Sequence, residues 1–400
     1  MPAFNLSVSL NRSVLPTYQD VPVFMLIKIE PTQEAEQAVK SMPRKVHIVF
    51  TIDSSGSMAG DKIEVAKEAI IRRFRKDLSD EDLLSFVTFS DSAHVVVSAA
   101  SRRTSTDFEN KVRSVTAGGL TNLYDGLQKS IEILKSTPAG YLRRIVLATD
   151  GMPTTGITDK NKIVELAKRA RQDYNVLIDV YGIGNDYDYD LCWSIANATG
   201  GWMRHAVTAN DLEKLTTTSV EKNKKTIVDK LMLAINLANN VRLDDIVMAT
   251  PTIKRLDRNA SQWDLGSLSA GGLITVVAKL TVGKGFPPGM QKIAEVQVGA
   301  TKVDVTANFV SDNSWLQEDP LPRHYYVLSA NVDNIAQKTI AGQSTRVDES
   351  NLDGLLMSKE VRDSMLRDPV LAQIAQKYEK GKTATDPRTK VDRMTTVFEG

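Results

Sequence analysis

Asp53-Ser54-Ser55-Gly56-Ser57 sets a carboxylate and two hydroxyls at alternate positions, a short run of hard oxygen donors. Such donors suit Mg²⁺, which takes few carboxylates and keeps several waters. Two further segments carry matching groups. Gly118-Gly119-Leu120-Thr121-Asn122 is a glycine turn that brings a threonine hydroxyl to the start of a helical stretch. Asp150-Gly151 sets a second carboxylate after an apolar run. Each group also has a bland use. Asp53 and Ser55 could cap the helix that follows, Thr121 could cap a helix over 122–136, and Asp150-Gly151-Met152-Pro153 could be an ordinary turn. Catalysis at a metal would need a base or nucleophile beside the ion. The sequence has no H-E-x-x-H, no G-x-S-x-G and no paired histidines near these segments. His47 falls mid-strand, His94 lies near a hairpin, and His205 and His324 are isolated. The pattern therefore reads as a binding site, not an enzyme's active site.

These donors converge only if particular elements position them. Lys45–Ile52 is a nearly continuous apolar run, as expected of a strand buried on both faces. Similar runs cover 83–89, 144–149 and 175–181, and 94–97 reads as a hairpin partner of the first of these. Helical spacing lies between them. Over 60–76, Ile63, Ala66, Ile70 and Phe74 share one face, while Lys62, Lys67, Arg72 and Arg73 are expected to point away. Segments 122–136, 159–173 and 188–199 behave alike. Strands alternating with helices predict an α/β, doubly wound, mostly parallel sheet over 44–222. Ligands of such sheets bind at the C-terminal strand ends, where Asp53 and Asp150 fall.

The flanks read differently. Phe4, Leu6, Val8 and Leu10 alternate with polar residues, and Val21–Ile29 is a second strand. Strands return over 273–282, 293–298 and 303–309, whereas 231–237 could be strand or helix. Residues 1–43 and 223–330 are thus expected to form one β-sandwich, with the α/β domain inserted in it. A helical segment is expected over 331–381. Residues 382–400, rich in Thr, Asp, Lys and Arg, are read as a flexible tail. Within it Thr383, Thr389, Thr395 and Thr396 are candidate phosphorylation sites. Arg393 lies just upstream of the last two, and Phe398 lies three residues after Thr395.

Composition bounds the function classes. Of 400 residues, 42% are apolar and 25% charged, ordinary for a globular protein of two or three domains. A net charge of +1 argues against direct nucleic-acid binding. A single cysteine, Cys192, excludes an internal disulfide framework and fits a reducing compartment. No apolar run is long enough to span a membrane, and the first residues lack the pattern of a signal peptide, so a cytoplasmic location without membrane attachment is expected. Asp186, Asp188 and Asp190 imitate a calcium loop, but Leu191 and Asn197 stand where Gly and Glu are needed. Helix capping is the better use for Asp188 or Asp190.

Asp53-x-Ser55-x-Ser57, Thr121 and Asp150, in that order and in this strand–helix context, resemble the metal-ion-dependent adhesion site of von Willebrand factor type A domains. The resemblance implies that Ser55, Ser57 and Thr121 ligate a divalent cation, Mg²⁺ or another such as Mn²⁺. Asp53 and Asp150 would act mostly through water, and one coordination position would stay open for a partner's carboxylate. Sandwich, inserted domain, helical segment and Thr-rich tail together look like the von Willebrand A proteins of the archaeal motility-repression module. The sandwich plan is also similar to COPII inner-coat subunits. The module resemblance implies a non-enzymatic interaction scaffold whose partners are a forkhead-associated (FHA) domain regulatory protein and a Ser/Thr protein kinase and phosphatase acting on the tail. An alternative is an adaptor for an AAA+ ATPase of the MoxR or chelatase type. A metal-dependent hydrolase is a third, weaker expectation.

Overall fold

A computed structural model describes residues 2–103, 107–206, 211 and 224–397. It divides into two compact units, Met1–Ala35 with Lys230–Gly400, and Glu36–Asp229. The chain leaves the first unit, builds the second, and returns.

The first unit opens with β1 (Phe4–Leu10), β2 (Val14–Pro16) and β3 (Val21–Pro31). β1 and β3 pair antiparallel, and β3 pairs with the later strand Ile274–Val282, which pairs with Val241–Thr250. A second five-stranded sheet joins Gln262–Asp264, Met232–Leu237, Gly289–Val298, Thr301–Val310 and β2. The ambiguous stretch 231–237 is therefore a strand. Both sheets draw strands from each flank of the insertion, which is what makes this a single β unit.

Helices cover one face of the β3 sheet. The helical region starts earlier than expected, with Pro320–Ile340 capped by Asp319. Arg346–Met357, Lys359–Arg367 and Pro369–Lys382 follow. Tyr325, Leu328, Val332, Leu371, Ile374 and Tyr378 form one core with Leu26 and Val277 of the sheet.

The described part of the expected flexible tail, up to residue 397, is folded instead. Residues Pro387–Thr395 form a helix, with Pro387 in its first turn and the Asp386 carboxylate accepting from Thr389 N at 2.7 Å. Val391, Met394 and Val397, three residues apart, put an apolar stripe into the core, each no more than 2% exposed. Backbone bonds run from Ile253 N to the Thr395 carbonyl and from Val397 N to the Pro251 carbonyl. The overall polarity of the segment hid this stripe. Phe398 lies outside the described residues.

The second unit carries α1 (Gln33–Ser41) at its entry, then β4 (Val46–Asp53), α2 (Asp61–Lys76), β5 (Leu83–Phe89), β6 (Ala93–Ala100) and α3 (Phe108–Arg113). α4 (Leu123–Lys135), β7 (Leu142–Thr149), α5 (Lys160–Tyr174), β8 (Leu177–Ile183), α6 (Tyr189–Thr199) and β9 (Met203–Ala206) complete it. The sheet order is β6-β5-β4-β7-β8-β9, parallel except for β6. Every residue of β4 is buried. Ile48, Phe50 and Ile52 pack with Ile63, Ile70 and Phe74 of α2. On the other face the Thr51 hydroxyl meets that of Ser130 in α4 at 2.6 Å. Two basic residues expected at the surface of α2 are buried instead. The Lys67 ammonium bonds the carbonyls of Arg113 and Val115, and Arg73 pairs with Asp77 at 2.5 Å. The expected end of this domain near 222 lies outside the described residues.

Candidate metal centre

From β4 the chain adds β5 and β6 on one side, and β7, β8 and β9 on the other. β4 and β7 are neighbours at this reversal, so their C-terminal ends frame a crevice. Asp53 ends β4, and Asp150 follows Thr149, the last residue of β7. Both carboxylates are buried.

The loops hold these groups at close range. Asp53 Oδ1 accepts from Ser55 N at 2.9 Å, and Asp53 Oδ2 accepts from the Thr149 hydroxyl at 2.6 Å. The Ser55 and Ser57 hydroxyls lie 3.1 Å apart, and Ser57 Oγ donates to Asp150 Oδ1 at 2.7 Å. Gly118 N bonds the Ser54 carbonyl and Gly56 N bonds the Gly119 carbonyl, tying the 118–121 loop to the first motif. Gly119 has φ +83°, and a Cβ there would sit 2.5 Å from the Asp91 carboxylate, so the turn requires glycine. Thr121 N donates to Thr154 Oγ1 and Thr154 N to the Thr121 carbonyl, both at 2.9 Å. A Cβ on Gly151 would lie 3.6 Å from Thr121 Oγ1 and 3.8 Å from Ser57 Oγ. The structure thus brings Asp53, Ser55, Ser57, Thr121 and Asp150 to one rim.

The capping alternatives resolve in the same geometry. Ser55 precedes a short 3₁₀ turn, Gly56–Met58, without a side-chain capping bond, and α2 starts from Gly60, also without one. Asn122, not Thr121, caps α4 by accepting from Asp125 N at 3.2 Å. The hydroxyls of Ser55 and Thr121 are therefore not used as helix caps.

Burial pushes the Asp53 carboxyl up from its ordinary range, opposed by the hydrogen bonds from Thr149 and Ser55. Among the described residues no group of three His, Cys, Asp or Glu is arranged to hold a metal. The rim instead offers two carboxylates and three hydroxyls. That donor set fits a hard divalent cation retaining part of its water shell and offers nothing to a soft one.

Four participants were not singled out in the sequence. Thr149 fixes Asp53, Thr154 and Asp91 fix the Thr121 loop, and Lys62 pairs with Asp150 Oδ2 at 2.5 Å. Asp91, in the polar turn Ser90-Asp91-Ser92 after β5, was the most visible signal.

The remaining candidates lie elsewhere. Asp188 caps α6, accepting from Leu191 N, and pairs with Lys160 at 2.7 Å. His47 is buried between the hydroxyls of Thr137 and Ser85. Thr396 is buried and Thr389 and Thr395 are half-buried, with Thr395 Oγ1 bonded to the Val391 carbonyl; Thr383 is exposed.

Comparison with known proteins agrees with this architecture. Residues 47–221 match the family model for the von Willebrand factor type A domain. Two solved structures resemble nearly the whole chain. A von Willebrand factor type A protein from Catenulispora acidiphila has a TM-score of 0.71 at 16% identity, covering 99% of this chain and 97% of its own. The ArnB paralog VWA2 from Sulfolobus acidocaldarius has a TM-score of 0.66 at 17% identity, covering 98% and 97%. Among curated proteins, the uncharacterized protein YfbK of Escherichia coli is 24% identical over 68% of this chain and 50% of its own length. Human inter-alpha-trypsin inhibitor heavy chain H4 is 33% identical over 42% of this chain and 19% of its own length. This chain therefore spans about half of the one relative and about a fifth of the other. It carries a von Willebrand factor type A domain with that family's α/β fold. No helix among the described residues is long and apolar enough to cross a membrane.

Proposed function

We propose that this chain is a non-enzymatic protein-interaction scaffold whose partner surface centres on a divalent cation, Mg²⁺ or Mn²⁺. The observation that carries the reading is the convergence of Ser55, Ser57 and Asp150 through bonds of 3.1 and 2.7 Å, with Thr121 at the same rim. Ser55, Ser57 and Thr121 would hold the ion through their hydroxyls. Asp53, clamped by Thr149, and Asp150 would hold its water shell. When bound, the ion supplies a positive anchor for an acidic side chain of a partner.

The residues around the rim suit a protein partner. Leu120 and Met152, on the two loops beside Thr121 and Asp150, are 51% and 56% exposed. Apolar side chains held open beside a charged anchor favour a protein surface over a small polar metabolite. The buried single cysteine is in keeping with work in a reducing compartment, such as the cytoplasm.

An FHA-domain partner read through phosphothreonine, with its kinase and phosphatase, belongs to this proposal through Thr383, the exposed one of the four threonines. The packing of Thr396 and Val397 favours a second reading, the adaptor of an AAA+ ATPase, which needs no tail phosphorylation. Calorimetric titration with Mg²⁺ tests the shared core of both readings. Saturable binding to the wild type that is weakened by at least about tenfold in Asp53→Asn supports it, and equal behaviour of the two proteins removes it.

A further inference from the structure

The first turn of α2 places a lysine on the same rim. Lys62 Nζ lies 2.5 Å from Asp150 Oδ2, whose carboxylate is fully buried, while the Lys62 side chain is 36% exposed. The other Asp150 oxygen accepts from Ser57, and both Asp53 oxygens are engaged by Thr149 and Ser55. The ammonium therefore neutralises one of the two carboxylates of the rim from a flexible stem that reaches solvent.

We propose that Lys62 is a tethered counter-cation that sets which ions this site accepts. The inference rests on the metal reading above and adds a selectivity-determining residue to it. An ion entering beside Asp150 must either share the carboxylate with the ammonium or displace it. Sharing is opposed by like-charge repulsion, which is strong where water is scarce. Displacement by Na⁺ or K⁺ exchanges one unit charge for another and gains nothing. Displacement by a divalent ion gains a full unit of charge against the same carboxylates. The ammonium can swing out, because its stem is unbranched and partly exposed. Lys62 thus lowers the affinity for every cation, but it removes the monovalent ions from competition. Once displaced it leaves a second positive group beside the ion, facing the solvent from which an acidic partner would approach.

The test compares the full-length wild type with Lys62→Met, which keeps the stem and removes the charge, Lys62→Gln and Lys62→Arg. Mg²⁺ affinity is measured by calorimetry in KCl and in tetramethylammonium chloride of equal ionic strength, because the bulky ion cannot enter the rim. In tetramethylammonium chloride, Lys62→Met and Lys62→Gln should bind Mg²⁺ about tenfold more tightly than wild type. KCl should weaken those two variants several-fold while leaving wild type and Lys62→Arg unchanged. Unaltered or weaker Mg²⁺ binding by both neutral variants, with wild type binding normally, overturns the counter-cation and leaves the metal reading standing. Absence of Mg²⁺ binding by wild type and all variants overturns the metal reading itself.

Discussion

Asp53 has both carboxylate oxygens committed within the protein, one to Ser55 N and one to the Thr149 hydroxyl. A group so held fixes the shape of the first loop while its charge attracts the ion. Asp53→Asn keeps the volume and removes the charge, so Mg²⁺ affinity should fall by at least about tenfold, the effect common for residues that support a metal's ligands. Circular dichroism should show the sheet intact. His47 gives a separate, pH-dependent prediction. Burial, reinforced by the charge of Arg143, lowers its pKa from 6.5 to about 4. The ring is neutral in the fold but takes up a proton in the unfolded chain below about pH 6.5. Stability from this residue is therefore present above that pH and is lost progressively as pH falls toward 4, by up to about 3 kcal/mol. Denaturant melts of wild type and His47→Gln should show the difference between them shrinking over that window. A constant difference would remove His47 as the cause. At this scale the five motif residues were visible in the sequence because Asp53 and Asp150 follow apolar runs, Ser55 and Ser57 alternate after Asp53, and Thr121 follows a glycine turn. Lys62 was placed on the outer face of α2 by periodicity alone, which counts burial and not the charge of a neighbouring strand end.

Elements decide whether the residues meet. β4 and its parallel neighbours were legible because strands buried on both faces leave long apolar runs. The turn before α4 was legible too, with Thr121 read as a ligand and helix capping as its bland alternative; Asn122 takes the capping role and leaves the threonine free of it. Gly119 carries the turn. Gly119→Ala would drive a methyl group into the Asp91 carboxylate and force a φ that alanine resists, shifting the loop that presents Thr121. Mg²⁺ affinity should fall by about tenfold, and strain of about 1–3 kcal/mol at this turn should lower the melting temperature by several degrees while leaving the domain folded. The C-terminal helix shows the opposite case. Composition read residues 382–400 as solvated, yet Met394 is fully buried and lies against Gly381. Met394→Ala should cost about 2–5 kcal/mol in chemical denaturation. A cost near zero would restore the mobile tail.

Across the whole molecule, two units share one chain, and the candidate metal centre lies wholly within Glu36–Asp229. The β unit was harder to read from sequence because its sheets pair strands more than two hundred residues apart, such as β3 with Ile274–Val282. Alternation marks a strand but not its partner. Binding to the folded domain alone should stabilise it by mass action, about 2.7 kcal/mol at a hundredfold excess of Mg²⁺ over its dissociation constant. The anomalous scattering of Mn²⁺, in crystals grown with that ion, locates the cation outright. A single strong peak is expected within about 2.2 Å of the Ser55 and Ser57 hydroxyls, with Thr121 and Asp150 completing its surroundings directly or through water. A fully occupied Mn²⁺ elsewhere on the chain, with no density between Ser55, Ser57 and Thr121, would contradict it.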